Sequence, residues 1–506
     1  MTLGWLKRVF RRLFKNKAIL VSTLPMIRVE QREPTKEELA LGWAFGCDEK
    51  TDDPIYQLKG IEQKYRDTHF YVIGASGTGK TRFLEYLIQQ DIKNGEGFGV
   101  IDPHGDLIED IKGWLYVYSN KSFEDDIVLI EPTNPEKTVT FNPLEQIKGI
   151  SSEEQAGKLV EVFKKIWWDA WGARMESILR NSLIALVESN LTLAELPLLL
   201  SDNLVRKRIL KKVKNPTCQQ FFIDFEKIKP TTRREWIEST LNKVDAFLSD
   251  RRIRNIIASQ KSSFNLREII DNQKILLVKL ERGRLTGSAD LLGSLLLSKI
   301  QMAAFSRTDL DPEKRTPFYL YIDEFQNFAT QSFIETLSEA RKYRLSLTLA
   351  HQNLAQLPKE LQDSILANCG IVSCFRVSRK DAEIIAKELL TPLYRLPPGW
   401  EISFQEIQEL PNRYCFVKNK AEGGIILIQS TEVPEPWRAL KEITIQTGGG
   451  FDSATKEEYK KRIEEAKIGM KYLRDRTRIE SEYKRRMKKL TASKEPTSFR
   501  EPKNKA

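Results

Sequence analysis

Short apolar runs alternate with amphipathic stretches of helical period in two parts of the chain, residues 66–150 and 271–447. Each run is only four to seven residues long, as expected for strands that are buried on both faces. The predicted strands are 70–73, 99–102, 274–280, 318–322, 346–350 and 371–375. Because strands that alternate with helices build a mostly parallel sheet covered on both faces, the pattern predicts an α/β fold.

The pattern changes between these two parts. From 151 to 270 apolar residues such as Leu159, Val162 and Phe163 recur at helical spacing, and no convincing strand interrupts them. The stretch therefore predicts an all-helical domain inserted into the α/β domain. Farther on, 413–418 and 424–430 flank a glycine-containing turn and predict a β-hairpin that closes the second part.

The two ends of the chain have a different character. Residues 1–65 predict a basic amphipathic segment followed by a linker or small lobe. Its helical pattern is equally typical of a helix that contacts an anionic membrane peripherally through residues 3–17 and of a helix docked on the protein itself. Residues 448–506 predict a basic tail, which begins at a glycine joint, forms one charged helix over 456–490 and is disordered after 491.

Positive charge is concentrated at these ends. The net charge is +11, of which residues 1–35 contribute +6 and residues 453–506 contribute +9, so the remainder is slightly acidic. The isoelectric point is therefore weak evidence for a nucleic-acid groove in the core. No apolar run of transmembrane length, no secretory signal and no CxxC pair is present. These observations predict a cytoplasmic protein, peripheral at the inner face of the cell membrane if the first helix binds lipid.

A complete phosphate-binding loop of the form GxxxxGK[ST] follows the first predicted strand and begins the next helix. Its glycines allow successive N–H groups to face phosphates, its lysine reaches the β and γ oxygens, and its final hydroxyl ligates Mg²⁺. The chain is therefore predicted to be a P-loop ATPase with ATP and Mg²⁺ as cofactors. The loop residues are Gly74, Ala75, Ser76, Gly77, Thr78, Gly79, Lys80 and Thr81.

Two acidic residues, Asp323 and Glu324, follow the apolar strand 318–322. In a P-loop ATPase, Asp323 would hold Mg²⁺ through a water molecule, and Glu324 would orient or deprotonate the attacking water. Alone the pair could be two surface acids at a strand end. Together with the phosphate loop, it predicts the catalytic half of the site.

Two further polar positions, Arg341 and Gln352, lie before and after the strand 346–350. Gln352 would lie at the sheet edge where ligands bind, where it could contact the attacking water and the γ-phosphate or merely cap a turn. Its neighbour His351 is interpreted as a packed or solvated side chain. Arg341 could be an ordinary surface charge, or it could reach the γ-phosphate of a neighbouring subunit.

Six motifs occur in a characteristic order: 74–81, 101–106, 171–180, 321–328, 339–344 and 351–352. The set resembles the HerA/FtsK superfamily of DNA-pumping ATPases, and within it the type IV secretion coupling proteins, which are TraG/TraD-like conjugative DNA transfer ATPases. The resemblance implies a RecA-like motor domain interrupted by an all-helical domain, and a hexameric ring that passes DNA through its centre. It also implies that Asp323 and Glu324 are the Walker B pair, Gln352 a sensor and Arg341 an arginine finger.

The resemblance favours a hexameric DNA translocase that drives DNA transfer in conjugation or type IV secretion. Its expected partners are DNA, further copies of itself, and a relaxase or secretion-channel proteins. Two alternatives stay open: a soluble HerA-like translocase in DNA repair or segregation, and a nucleotide-gated secretion ATPase or scaffold that moves no DNA. The first 65 residues depart from both relatives, because they match neither the transmembrane helices typical of coupling proteins nor the first domain typical of HerA.

Overall fold

The computed structural model describes residues 28–30, 34–47, 54–390, 404–446 and 456–492. The strands in these ranges are β1 (Arg28–Glu30), β2 (Glu38–Cys47), β3 (Pro54–Glu62), β4 (Phe70–Ile73), β5 (Phe98–Asp102), β6 (Ile127–Ile130), β7 (Lys137–Thr138), β8 (Ile275–Lys279), β9 (Phe318–Ile322), β10 (Leu345–His351), β11 (Ile371–Cys374), β12 (Tyr414–Asn419), β13 (Ile425–Ser430) and β14 (Arg474–Asp475).

The α-helices in the same ranges are α1 (Lys80–Asn94), α2 (Asp106–Tyr118), α3 (Ser152–Ile166), α4 (Ala173–Glu188), α5 (Leu196–Ser201), α6 (Asn203–Leu210), α7 (Pro216–Lys227), α8 (Pro230–Ser249), α9 (Arg251–Ile257), α10 (Leu266–Asp271), α11 (Arg282–Leu285), α12 (Gly287–Phe305), α13 (Phe333–Glu339), α14 (Lys359–Asn368), α15 (Arg379–Leu390), α16 (Phe404–Gln408), α17 (Pro436–Gln446), α18 (Lys456–Glu465) and α19 (Arg476–Thr491).

Twelve of the described strands form one large sheet, in the order β1-β3-β2-β13-β12-β11-β4-β10-β9-β5-β8-β6. Every adjacent pair of strands from β11 to β6 is parallel, whereas β11 and β12 are antiparallel. Side chains of β4 alternate between two cores, with Tyr71 and Ile73 in one and Phe70 and Val72 in the other. Burial on both faces explains the short, continuous apolar runs in the sequence. The predicted α/β fold with a mostly parallel sheet is confirmed.

The sheet continues into an antiparallel part. β2 pairs with β3 and also with β13, where Trp43 lies opposite Gln429. The predicted hairpin is present as β12 and β13. The sequence predicted a linker or small lobe before β4. That prediction is wrong, because Glu38–Cys47 and Pro54–Glu62 are strands of the main sheet. This pairing depends on residues nearly 400 positions away, which no local pattern reveals.

The stretch predicted to be helical contains α3 to α10, with no strand between β7 and β8 in this continuously described part of the chain. α3 packs against α12, and its apolar residues belong to the same core as one face of the sheet. Lys158 of α3 also forms an ion pair with Glu335 of α13 at 3.0 Å. The division into a motor domain and an inserted domain stays a prediction, but the helices of this segment pack directly against the sheet.

The described part of the tail contains two helices rather than the single predicted one. Between the two helices, Lys467 and Gly469 have positive φ, and β14, which follows them, pairs with β7. Both helices dock on the rest of the protein through buried side chains, among them Tyr459 and Ile479. The tail is largely charged, but its few apolar residues are enough to dock both helices on the protein.

Close packing at Gly113 of α2 offers a test of this docking. An added Cβ would meet the hydroxyl of Tyr459 in α18 and lie 2.8 Å from Pro436 Cβ. We expect Gly113→Ala to lower the melting temperature, because overpacking costs about 1–3 kcal/mol, whereas the gain in helix propensity is only about 1 kcal/mol.

Circular dichroism during heating would measure the effect, and Gly157→Ala in α3 is the matched control. The nearest atom to an added Cβ at Gly157 is Nη1 of Arg180, at 3.3 Å, at the end of a flexible side chain. The control is therefore expected to melt at or slightly above the wild-type temperature. A Gly113→Ala variant that behaved in the same way would contradict the docking of α18 on α2.

Candidate nucleotide-binding site

The carboxyl ends of three adjacent strands bring the predicted site residues together. β10 lies between β4 and β9, with Ala350 opposite Val72 and Leu349 opposite Ile322. The phosphate loop follows β4, the acidic pair follows β9, and Gln352 follows β10. Ligands of parallel α/β sheets bind at this edge because the loops converge there.

The phosphate loop has the backbone that its glycines predict. Gly77 and Gly79 have φ values of 74° and 111°, in the left-handed region that glycine adopts without strain. The loop is held in place by its neighbours, since Ala75 N–H donates to the Arg376 carbonyl at 2.7 Å, and Arg413 N–H donates to the Thr78 carbonyl at 2.8 Å. Sequence reasoning missed these two supports, which come from the chain after β11 and before β12.

Lys80 is the first residue of α1 and is almost fully buried. Its Nζ donates to the carbonyls of Gly74 at 2.6 Å and Ala75 at 3.2 Å. Burial lowers the pKa of Lys80, while Glu324 and Asp323 oppose that shift. A buried cation against the phosphate loop, at the N-terminus of a fifteen-residue helix, matches the charge and donors that bind phosphate oxygens.

Asp323 lies beside this loop and faces Thr81. The Thr81 hydroxyl donates to Asp323 Oδ2 at 3.3 Å. Burial raises the pKa of Asp323 to about 6, with further contributions from the charges of Glu324 and Asp102. A hydroxyl and a carboxylate surrounded by excess negative charge are the hard oxygen donors that suit Mg²⁺, so these residues fit the predicted cation.

Glu324 is held by two amide side chains. Gln352 Nε2 donates to its Oε1 at 2.6 Å, and Gln326 Nε2 donates to its Oε2 at 2.7 Å. We call Gln326 and Gln352 the amide clamp. Glu324 also has φ of 46°, a conformation that costs a non-glycine residue energy and persists only where the surroundings impose it. The structure thus brings Gln352 to Glu324 and adds Gln326, which sequence reasoning missed although it lies two residues after the acid.

His351 and Asp102 lie near the site but have structural partners. His351 is fully buried, and its Nε2 forms a hydrogen bond of 2.6 Å with the Tyr71 hydroxyl. Burial, with a smaller effect from the charge of Lys80, lowers the pKa of His351 to about 3, so its ring is neutral near pH 7. Asp102 accepts backbone hydrogen bonds from His104 at 2.8 Å and Ile108 at 3.1 Å. His351 is therefore a packed side chain.

Arg341 is at the opposite edge of the sheet from the phosphate loop. It lies in the short 3₁₀ helix Ala340–Tyr343, just before β10, whereas Gln352 directly follows β10. A seven-residue strand spans roughly 20 Å. The Arg341 side chain is exposed, and its guanidinium has no hydrogen bond or ion pair among the described residues. Arg341 therefore cannot reach the nucleotide site of its own subunit.

A family model for conjugative DNA transfer by the type IV secretory system matches residues 34–389. Because the match covers well over half of the chain, the protein belongs to this family, and the recognition from sequence motifs is confirmed. Type 4 coupling protein DotL of Legionella pneumophila is 23% identical, over 66% of this chain and 50% of that protein. The chain thus spans half the length of this curated relative.

Solved structures of coupling proteins have the same architecture. Plasmid coupling protein TrwB, in complex with the ATP analogue ADPNP, superposes with a TM-score of 0.53 and 15% identity, over 80% of this chain and 91% of that one. VirB4 of Thermoanaerobacter pseudethanolicus gives a TM-score of 0.52 and 14% identity, over 81% of this chain and 100% of its own. A further TrwB structure contains ADP and Mg²⁺. At these identities the likeness shows the fold, which is RecA-like.

Within the described ranges, no helix is both long enough and apolar enough to cross a membrane. Residues 3–17, on which the predicted peripheral membrane contact depends, lie outside the described residues. The cytoplasmic location and the membrane contact therefore stay predictions.

Proposed function

We propose that the protein is an ATP-hydrolysing DNA translocase that drives DNA transfer in conjugation or type IV secretion. The observation that carries this proposal is the convergence of Lys80, Thr81, Asp323 and Glu324 at one sheet edge, in a chain that belongs to the conjugative transfer family. The partners we propose are DNA, a relaxase and secretion-channel proteins.

The proposed chemistry assigns a separate task to each residue. The loop amides and Lys80 bind the phosphates. Thr81 and Asp323 would hold Mg²⁺, which would supply positive charge to the phosphates. Glu324 orients the attacking water and accepts its proton. Gln352 contacts Glu324 in the present structure, so a ligand at the γ-phosphate position would compete for the same amide. That competition would link the nucleotide state to the position of the hydrolytic carboxylate.

A hexameric ring is part of the proposal because, among the described residues, no arginine side chain hydrogen-bonds to the phosphate loop or to the acidic pair. Phosphoryl transfer develops charge on the γ-phosphate oxygens, and an arginine from outside commonly neutralises it. Arg341 is exposed at the far edge of the sheet, where it can face the site of the next subunit. Its position supports a ring in which each site contains residues of two copies.

The test is ATP hydrolysis by the wild type and by Lys80→Ala, each with and without single- and double-stranded DNA, over a series of salt concentrations. We expect DNA to stimulate the wild-type rate, with less effect at high salt because phosphate contacts release counterions. Lys80→Ala should lose nucleotide binding or turnover, since the loop loses its cation. Exposed Lys359→Ala, which removes only a pair with Asp363 in α14, should behave as wild type.

The comparison with and without DNA separates the proposed translocase from the secretion ATPase or scaffold, and the comparison with Lys80→Ala tests the enzymatic assignment. Hydrolysis that DNA does not change would favour the secretion ATPase or scaffold that moves no DNA. A wild-type rate equal to that of Lys80→Ala would overturn the enzymatic assignment altogether.

A further inference from the structure

One lysine of the helical segment reaches the loop that follows the catalytic pair. Lys165 lies in the last turn of α3, and its Nζ donates to the backbone carbonyls of Gln326 at 3.2 Å and Asn327 at 2.5 Å. These residues form the short 3₁₀ helix Phe325–Asn327, which directly follows Glu324. A side chain from the segment 151–270 therefore holds the backbone next to the proposed hydrolytic carboxylate.

The path from Lys165 to Glu324 requires only one further hydrogen bond. Gln326, whose carbonyl accepts from Lys165, donates its own side-chain amide to Glu324 Oε2 at 2.7 Å. Glu324 has a left-handed backbone that its surroundings must impose. Fixing the peptide of Gln326 thus fixes one side of the amide clamp.

The position of Lys165 is costly for a purely structural residue. The Lys165 side chain is partly buried. Loss of solvent around the amine lowers the pKa of Lys165 to about 7, while the charge of Asp290 opposes that shift and the charge of Arg282 adds to it. No carboxylate lies within ion-pair distance of it among the described residues. Withdrawing an amine from water without an ion-pair partner costs free energy, so an apolar side chain would suit a position that serves packing alone. Lys165 instead contributes two hydrogen bonds to the backbone of the 3₁₀ helix that follows Glu324.

We infer that Lys165 is a positioning residue through which the helical segment sets the orientation of Glu324. The inference rests on the proposed ATPase function. Hydrogen bonds weaken steeply beyond about 3.5 Å, so a shift of α3 by an ångström or so releases the loop and disorders the clamp. The rate of hydrolysis then depends on where the helical segment lies relative to the sheet.

Lys165→Met removes the donors and the charge but keeps an unbranched side chain only one atom shorter. We expect kcat for ATP hydrolysis to fall roughly 10- to 100-fold, as for a small misplacement of a catalytic group, while KM and nucleotide affinity stay within about a factor of two because the phosphate loop is untouched. The melting temperature should not fall appreciably, since the loss of two hydrogen bonds is offset by removal of a desolvated amine. Lys164→Met, at the exposed neighbouring position, is the matched control and should resemble wild type.

A double-mutant cycle with Gln326→Leu tests the path itself. Gln326→Leu removes the amide that holds Glu324, so it should lower kcat on its own with KM unchanged. Because both changes act through the same hydrogen bond to Glu324, the double variant should be no slower than Gln326→Leu alone. This cycle, with melting temperatures measured for all variants, separates positioning from general destabilisation.

The outcomes discriminate clearly. Wild-type kcat in Lys165→Met, or effects of the two substitutions that multiply in the double variant, would overturn the inference while leaving the ATPase assignment intact. If Lys165→Met fails to fold, a wild-type kcat in Gln326→Leu would also overturn the inference. A wild-type protein that hydrolyses no ATP would instead refute the proposed function, and with it the role of Lys165.

Discussion

Glu324→Gln is expected to bind ATP with near wild-type affinity and to lose hydrolysis by roughly two to four orders of magnitude, the usual contribution of a positioned general base. The substitution keeps the shape of the side chain, but an amide cannot accept the proton of the attacking water. It also disturbs the amide clamp, because the new NH₂ group meets a donor from Gln326 or Gln352 where a carboxylate oxygen stood. Binding of a fluorescent ATP analogue and release of inorganic phosphate measure the two effects separately.

The matched control is Glu422→Gln, an exposed acid in the turn between β12 and β13, which should hydrolyse ATP at the wild-type rate. If Glu324→Gln hydrolysed ATP as fast as this control, Glu324 would not be the group that activates water. Asp323, the neighbouring acid, would then be the next candidate for that role.

Arg341→Ala should retain ATP binding yet lose most turnover, since an arginine at the γ-phosphate is worth about three to five orders of magnitude in rate. The decisive measurement mixes it with Glu324→Gln. The Arg341→Ala subunit has an intact acidic pair, and its Glu324→Gln neighbour has an intact arginine, so mixed assemblies contain some complete sites. We expect the mixture to hydrolyse ATP faster than either variant alone.

Lys342→Ala is the control for this prediction, because Lys342 lies in the same 3₁₀ helix and its exposed ammonium pairs with the partly exposed Glu339. It should behave as wild type in every assay. Mixed assemblies that form, as verified by co-purification through a tag on one variant, but show no gain in activity would rule out action of Arg341 on a neighbouring subunit.

Sequence reasoning succeeded where chemistry or burial imposes a local pattern. The phosphate loop and the acidic pair have fixed spacing because they must surround one phosphate chain, and strands buried on both faces give apolar runs. Each of these features depends on residues that are close together in the chain.

Sequence reasoning failed where the structure of a segment depends on partners that are far away in the chain. β2 becomes a strand of the main sheet because β13 pairs with it, and the tail breaks into two helices where β14 meets β7. The role of Gln326 likewise follows from a tight turn that aims its amide back at Glu324. Neither a pairing partner nor the direction of a side chain is encoded in hydrophobic spacing.

The place of β4 in the sheet has a consequence for synthesis of the protein on the ribosome. β4 ends at Ile73, but its two neighbours, β10 and β11, begin only at Leu345 and Ile371. At translation rates of roughly 5–20 residues per second, both edges of the apolar strand β4 stay unpaired for some tens of seconds after its synthesis. During that interval the nascent chain needs protection from aggregation, by chaperones or by transient pairing, and the ATP site can form only when most of the chain has emerged.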